Sequence, residues 1–337
     1  MKLPQSVSIS NLVSICIPTF NGAKYLHKCL ESAIAQTYPD LEILISDDLS
    51  TDATLDIANK YSTKNENIRV IKNGSKQGMV ANWNHCIHEA RGGWIKFLFQ
   101  DDFLEPDCVA KMMEGCLAND CEIAVCRRDF QIESGTPDAV TEFFKNGVTK
   151  SETLFTETRY YSPGQTAGII KHHLLNNIIG EPTCFLFSKK IVGEYGDFNI
   201  QLRQLVDYEF ILRCILNNGF VFLHQKYATF RVHGSSQTSS NYSINKIRSE
   251  RGDRIIMLSE FISGISYESL KHSLGEAHLK LYLKYTYFKS CKLYGEKKFR
   301  SAIADILEVY PDTGRLKYSF AKYLAAKLKF KWSSLFI

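Results

Sequence analysis

Two places in this chain set neighbouring carboxylates at the end of an apolar run. Trp94 to Phe99 reads W-I-K-F-L-F, and Gln100 then leads to Asp101 and Asp102. Leu41 to Ile45, closed by Ser46, leads in the same way to Asp47 and Asp48. Runs of this length fit strands buried within a sheet. A strand that stops at charged residues delivers them to the sheet edge, where open α/β sheets bind ligands. Adjacent carboxylates repel one another unless a cation or hydrogen-bond donors compensate them, and their oxygens suit hard divalent ions. The plainer alternative is a solvated turn that caps the next helix. After the second pair, Ser50, Thr51 and Asp52 already supply caps, which accounts for Asp52 well and for Asp48 poorly. Two acid pairs at one edge are harder to dismiss than one.

The elements that must hold these residues follow from the pattern around them. Val13 to Ile17 is a β-branched run closed by Pro18, a first buried strand. Thr19-Phe20-Asn21-Gly22 supplies a turn, and Ala23 to Gln36 then has helical spacing through Leu26, Leu30, Ala33 and Ile34. Tyr38-Pro39-Asp40 breaks that helix before the Leu41 strand. A helix from about Ala53 to Tyr61, a strand at Ile68 to Ile71 and a helix from Val80 to Ala90 come next. Gly92-Gly93 stops that last helix. Beyond the Trp94 strand, Pro106 suits the first residue of a helix that runs to about Leu117, and Ile123 to Cys126 is another strand. Strand and helix in alternation predict parallel strands with right-handed crossovers, a doubly wound sheet. Past Arg127 the alternation fades, and Glu133 to Thr153 is polar enough to be an insertion or a mobile loop. Tyr227 to Phe230 reads as a last strand.

The totals bound the rest. A chain of 337 residues makes one large domain or two smaller ones. At 45% hydrophobic and 23% charged it is a globular composition, and a net charge of +5 is mild. The ten cysteines contain no C-x-x-C and sit mostly in apolar runs, which points to buried free thiols in a reducing compartment rather than to zinc. Met1 to Asn11 is polar and no window approaches a membrane span. The expected location of the chain is therefore the cytoplasm.

Several motifs in order carry a resemblance. Val13-Ser14-Ile15-Cys16-Ile17-Pro18-Thr19-Phe20-Asn21 resembles the opening of the family 2 glycosyltransferases. So does Ala35-Gln36-Thr37-Tyr38-Pro39-Asp40-Leu41-Glu42-Ile43 running into Ser46-Asp47-Asp48-Leu49-Ser50-Thr51-Asp52. The segment from Gly78 to Asn84 and Gly93-Trp94-Ile95-Lys96-Phe97-Leu98 extend it, so that the resemblance covers roughly Asn11 to Ser236. It implies a GT-A-type, mainly parallel α/β sheet flanked by helices, and transfer of a sugar from a nucleoside diphosphate to a hydroxyl with inversion. It also implies a divalent metal, Mn2+ or Mg2+, against the charge of the leaving diphosphate.

Roles come with the resemblance, residue by residue. Asp101 is the implied metal ligand with Asp102 in support. Asp47 and Asp48 are the base-recognition acids, with Thr19 and Asn21 next to the ribose. Lys76 faces the base or diphosphate, or is a solvated loop lysine. Gly180-Glu181-Pro182-Thr183 resembles the acceptor-side motif, so Glu181 contacts the sugar or acceptor, or pairs with a nearby base. Val206-Asp207-Tyr208 stands where the family has Glu-Asp-Tyr, which makes Asp207 the general base that takes the acceptor's proton; alone it would be read as a helix cap. Arg231-Val232-His233-Gly234-Ser235-Ser236 resembles the loop over the diphosphate, with Arg231 on phosphate and His233 completing the metal shell. The sequence departs from the family at two places. Phe99 replaces the first acid of Asp-x-Asp-Asp, and Val206 replaces the glutamate before Asp207.

This reading divides the chain into a nucleotide-sugar-binding half (1–130), an acceptor and base half of the same domain (131–240), and a helical C-terminal region (241–337) outside the resemblance. Leu316 to Ile337 interleaves Lys322, Lys327, Lys329 and Lys331 with Phe320, Tyr323, Leu324, Leu328, Phe330, Trp332 and Phe336. That pattern suits an interfacial helix on an anionic membrane, or else a helix packed on the catalytic domain. A peripheral position on the cytoplasmic face of the inner membrane would suit a saccharide or lipid-linked saccharide acceptor, as in bacterial capsule or O-antigen assembly. Nucleic acid is the weaker target for a basic tail without a binding fold. The rivals are a sugar-nucleotide nucleotidyltransferase, which would need a more glycine-rich loop than Thr19 to Lys24, and a non-catalytic sugar-nucleotide-binding scaffold, which Phe99 motivates.

Overall fold

In the first strand, β1 (Val13–Thr19), successive side chains go to opposite faces of the sheet. Val13, Ile15 and Ile17 enter one hydrophobic core and Cys16 enters another. The same alternation recurs in β2 (Leu41–Asp47), where Ile43 and Ile45 face one core and Leu44 the other. It recurs again in β4 (Trp94–Phe97), with Trp94 opposed to Ile95 and Phe97. Apolar residues on both faces let the sheet be covered by helices on both sides, and this is the arrangement the computed structural model has. It describes residues 11–148, 150–234 and 247–333.

Among the described residues nine strands form one mixed sheet in the order β3-β2-β1-β4-β8-β6-β9-β5, with β7 alongside β9. The others are β3 (Ile68–Lys72), β5 (Phe103–Leu104), β6 (Ile123–Ile132), β7 (Arg159–Tyr161), β8 (Phe185–Ser188) and β9 (Phe220–Val232). The block β3-β2-β1-β4 is parallel throughout, as strand–helix alternation requires. β8 then lies antiparallel between β4 and β6, which alternation could not foresee because β8 comes from far downstream. β6 and β9 pair in parallel through a register shift at Cys126 to Arg128, and both strands run several residues further than their apolar stretches suggest.

Helices Ala23–Ile34 and Cys108–Ala118 cover one face; Met79–Glu89 and Val206–Asn218 cover the other. The expected strand Trp94 to Phe99 ends at Phe97. Glu133 to Thr153 is not a bare loop: it holds the helix Asp138–Glu142 and short turns, and the buried Phe144 ring packs between Phe130 and Phe230. Thr149, within it, lies outside the described residues.

The C-terminal helices, from Asp253–Ser263 to Phe320–Ser333, share a continuous core with the second face. Ile255, Tyr267, Tyr287 and Tyr323 belong to the same cluster as Phe210 and Phe187. All ten cysteines are buried free thiols. No helix among the described residues is long and apolar enough to cross a membrane.

Candidate active site

The loops after β1, β2 and β4 meet at one edge of the sheet, and side-chain hydrogen bonds lock them together. Asp47 is fully buried; its carboxylate accepts from the Thr19 hydroxyl at 3.2 Å, from the Ser50 amide at 2.9 Å and from the Ser50 hydroxyl. Asp48 is equally committed. One of its oxygens accepts from Asn73 Nδ2 at 3.0 Å and the Gln77 amide at 2.7 Å, and the other from the Gly78 amide at 2.9 Å. Asn82, in the Met79–Glu89 helix, joins Asn73 to Ser46 in the same buried network. Asn21 has a left-handed backbone (φ 49°), and its side-chain oxygen accepts from the Thr51 amide at 2.8 Å. Thr19, Asn21, Asp47 and Asp48 therefore come together as the sequence suggests, with these hydrogen bonds running to the protein. They pin the loops of this sheet edge to one another. Lys76 stands in the Asn73–Gly78 loop with its ammonium 3.9 Å from the centre of the Phe20 ring, a cation–π contact.

Gln100 carried no sequence signal and turns out to join the two loops. Its side-chain oxygen accepts from the Phe20 amide at 2.9 Å and its nitrogen donates to the Phe20 carbonyl at 3.1 Å, as a neighbouring strand would. Gly22 is what lets it lie there: a Cβ at that position would come within 2.2 Å of the Gln100 amide oxygen.

At the end of β4 the two acids part company. Asp102 is fully buried, accepting from the Thr183 hydroxyl at 2.6 Å and the Arg231 amide at 3.0 Å. Burial and the adjacent Asp101 carboxylate push its carboxyl well above the ordinary range. Asp101 is more open, with its side chain 22% exposed, and its Oδ2 lies 3.0 Å from His233 Nε2 just past β9. The Tyr25 ring, 4.6 Å from the imidazole, holds His233 from the other side. Arg231, expected on phosphate, is only 8% exposed. It donates from Nε to the Asp101 carbonyl at 2.8 Å and from Nη1 to Glu133 at 3.3 Å. Glu133 in turn accepts from Tyr25 and Lys24. Arg231 is a strut between β9 and Asp101. Ser235 and Ser236, at the end of that expected loop, lie outside the described residues.

One carboxylate oxygen and one imidazole nitrogen so close together fit a divalent cation as a partial shell. Mg2+ and Mn2+ commonly take only one or two protein ligands and fill the rest with water and substrate phosphate. Among the described residues no group of three or more His, Cys, Asp or Glu forms a fuller cage. Phe99, which replaces the first acid of the family pattern, packs its ring into an aromatic cluster. It lies 4.8 Å from Trp83 and 6.4 Å from Phe97, and Phe198 completes the cluster.

Asp207 sits in the first turn of the Val206–Asn218 helix. It is half-buried; Oδ1 accepts from the Tyr208 amide at 2.8 Å and Oδ2 from Asn177 at 3.3 Å. Burial first, and then the Glu181 carboxylate, push its carboxyl up to about 7, against the pull of the helix amides and Arg128. Glu181 meets Arg128 in an ion pair at 2.7 Å, and the Arg128 side chain is buried. Gly180, between these groups, has φ 118° and would press a Cβ to 2.5 Å from the Arg128 guanidinium. Asn177 orders this turn through the Ile179 and Gly180 amides. The only sequence signal for Asn177 was its place three residues before a glycine, a common turn composition.

The family model described as Glycosyl transferase family 2 matches residues 14–196, more than half of the chain; Asp207 lies beyond that span. The hyaluronan synthase of Pasteurella multocida is 28% identical over 258 residues, which are 76% of this chain and 24% of that protein. The chain thus spans about a quarter of that relative's length. Among solved structures, S. aureus TarS 1-349 in complex with UDP-GlcNAc superposes with a TM-score of 0.60 at 18% identity, covering 96% of this chain and 81% of that one. The mannosyltransferase PcManGT from Pyrobaculum calidifontis, in complex with GDP-Man and Mn2+, gives 0.55 at 15% identity, covering 98% and 91%. At those identities the likeness is one of fold.

Proposed function

Because the chain belongs to glycosyl transferase family 2, we propose that it moves a sugar from a nucleoside diphosphate, UDP first among the candidates, to a hydroxyl of a saccharide or lipid-linked saccharide, with inversion. The observation that carries this is the placement of Asp207, half-buried in the first turn of a helix and aimed by Asn177 and the Tyr208 amide, where burial and Glu181 raise its carboxyl to about 7. A general base works best with a pKa near the working pH. Asp207 accepts the proton of the acceptor hydroxyl as its oxygen attacks the anomeric carbon from the face opposite the diphosphate. A single displacement of this kind needs no carboxylate nucleophile. Asn177 and the Tyr208 amide aim the carboxylate, and the Glu181–Arg128 pair sets its basicity and borders the sugar.

Asp101 and His233 are the two groups that would hold a divalent cation, whose chemistry is to neutralise charge developing on the departing diphosphate. The loops pinned by Asp47 and Asp48 form the nucleotide side, with Lys76 and Phe20 at its mouth. UDP is favoured by the UDP-GlcNAc complex of TarS, and a role in polysaccharide assembly such as capsule or O-antigen by the hyaluronan synthase match. We place the protein peripherally on the cytoplasmic face of the inner membrane. The support is the Phe320–Ser333 helix, which packs Tyr323 and Ala326 inward and leaves Phe320, Leu324 and Leu328 exposed beside lysines. Phe336 and the Trp332 side chain lie outside the described residues.

A second reading, a binding protein without transfer, is favoured by Phe99, which leaves the strand end one carboxylate short. Calorimetric titration with UDP, TDP and GDP, each with Mn2+ and then with chelator, separates the readings when paired with an assay of donor-sugar hydrolysis. Metal-dependent UDP binding with slow hydrolysis supports the transferase. UDP binding with no hydrolysis of any UDP-sugar moves the binding protein to first place, and no nucleotide binding refutes both.

A further inference from the structure

The Val206–Asn218 helix is preceded by Arg203, Gln204 and Leu205, whose three backbone amides all point at one oxygen. Asp253 Oδ2, from the first long C-terminal helix, accepts from them at 3.0, 2.6 and 2.9 Å. Asp253 is fully buried. Its other oxygen faces Arg248 Nη1 at 3.3 Å, and Arg248 reaches on to Asp305 Oδ2 at 3.1 and 2.9 Å and to the Gln201 carbonyl at 2.8 Å. A chain of charge thus runs from the outer Asp305, through a buried arginine, to the entry of the helix that carries Asp207. A second tie fastens the same helix lower down: Tyr267 donates to Glu209 at 2.6 Å and Glu209 pairs with Arg213 at 3.0 Å.

From this geometry we infer that Asp253 is a positioning residue for the reaction: it fixes the approach of Asp207 to the acceptor, so that the C-terminal region is part of the catalytic apparatus. This rests on the reading of Asp207 as base. Three convergent amides bind a carboxylate far better than they bind water in a closed site, because charge-assisted hydrogen bonds strengthen where solvent is excluded. Without Asp253 those amides must turn toward other partners, and Leu205, the residue before the helix, turns with them. Asp207 lies two residues on, held to the opposite wall by the single 3.3 Å contact with Asn177. A displacement of one ångström in a reacting group costs on the order of 10²-fold in rate. The donor loops around Asp47, Asp48 and Gln100 have no share in this network.

The test compares wild type with Asp253→Asn, Asp305→Asn and Asp207→Asn as full-length chains, using UDP affinity by calorimetry and donor-sugar hydrolysis with water as acceptor. Hydrogen exchange of residues 200–212 and 73–78 is followed alongside. Asp253→Asn is expected to keep UDP affinity and donor KM within about twofold while kcat falls by ~10²-fold, with faster exchange at Arg203 to Leu205 only. Asp305→Asn, at the exposed end, is expected to lower kcat by roughly twofold to fivefold, the range of an ion pair with one exposed partner. Unchanged kcat in folded Asp253→Asn overturns the inference, as does a loss of UDP affinity in step with kcat. Should Asp253→Asn fail to fold, Asp305→Asn decides alone: lower kcat at constant UDP affinity supports the inference and unchanged kcat overturns it. If Asp207→Asn is inactive while Asp253→Asn turns over normally, only the positioning role falls. If Asp207→Asn hydrolyses donor as wild type does, the base assignment falls and takes this inference with it.

Discussion

A carboxyl held at about 7 has consequences that can be read in both rate and stability. On the proposed mechanism Asp207 works only when deprotonated, so donor hydrolysis should fall tenfold per unit as pH drops below about 7. Replacing it with asparagine should cost about 10²- to 10⁴-fold in kcat at unchanged UDP affinity. Its folded-state pKa is raised, so the folded chain holds a proton that the unfolded chain releases between roughly pH 4 and pH 7. That contribution to stability is present below the unfolded pKa and lost as pH rises through the folded one. Asp207→Asn should accordingly leave Tm at pH 4 nearly unchanged and raise it by a few degrees, on the order of 1 kcal/mol, at pH 8. A scan of Tm against pH for the two proteins checks the sign. Phe99 makes a separate case. Its ring belongs to the Trp83–Phe97 cluster, so Phe99→Ala should destabilise by about 2 kcal/mol in urea unfolding. UDP affinity in chelator should not change, because the ring is engaged with Trp83 and Phe97 rather than with the Asp47–Asp48 loops.

The loops at the sheet edge are held by side chains acting as backbone. Asp48 receives two amides and a side-chain amide from the Asn73–Gly78 loop. Asp48→Ala leaves those donors unpaired and should weaken UDP binding by more than about tenfold while costing about 1–3 kcal/mol of stability. Gly22→Ala is a finer probe of the same edge. The new methyl meets the Gln100 side chain at 2.2 Å, and a flexible side chain can move, but only by leaving the Phe20 backbone. Nucleotide affinity should drop while Tm falls by no more than about 2–4 °C, the shift expected for about 1 kcal/mol in a chain of this size. Calorimetry and thermal unfolding of one preparation settle both.

Across the whole molecule, the C-terminal helices complete the core, and on the proposed reading the last of them also meets a membrane. Their inner faces complete the core against the Val206–Asn218 helix, with Tyr267 and Tyr287 fully or almost fully buried. A chain ending before residue 247 would expose that core and should not yield soluble, cooperatively unfolding protein. The outer stripe of the last helix repeats every four residues through Phe320, Leu324 and Leu328, the spacing of one helical face. With Lys322, Lys327, Lys329 and Lys331 around it, the helix should bind vesicles containing phosphatidylglycerol and not neutral ones. Leu324→Glu with Leu328→Glu should abolish sedimentation with those vesicles while leaving UDP affinity intact. Retained sedimentation would move the membrane contact elsewhere.

Much of the N-terminal half was legible in the sequence because its signals are local. Buried strands show as apolar runs, their ends as acids, and the parallel order of β3-β2-β1-β4 follows from the helices between them. The pairing of Asp101 with His233 could be named from resemblance but not measured, since 132 residues separate them. Other features depend wholly on tertiary structure. β8 enters between β4 and β6 from downstream, Gln100 takes the place of a strand neighbour for Phe20, and Arg231 is spent on Glu133 and the Asp101 carbonyl. Hydrogen-bond partners and burial are relations between distant segments, and no local pattern encodes them. The chain's own order of residues was enough to say that carboxylates would gather at the sheet edge. Which of them are spent inside the protein, as Asp47, Asp48, Asp102 and Asp253 are, and which stay open to a substrate, was decided only when the fold closed around them.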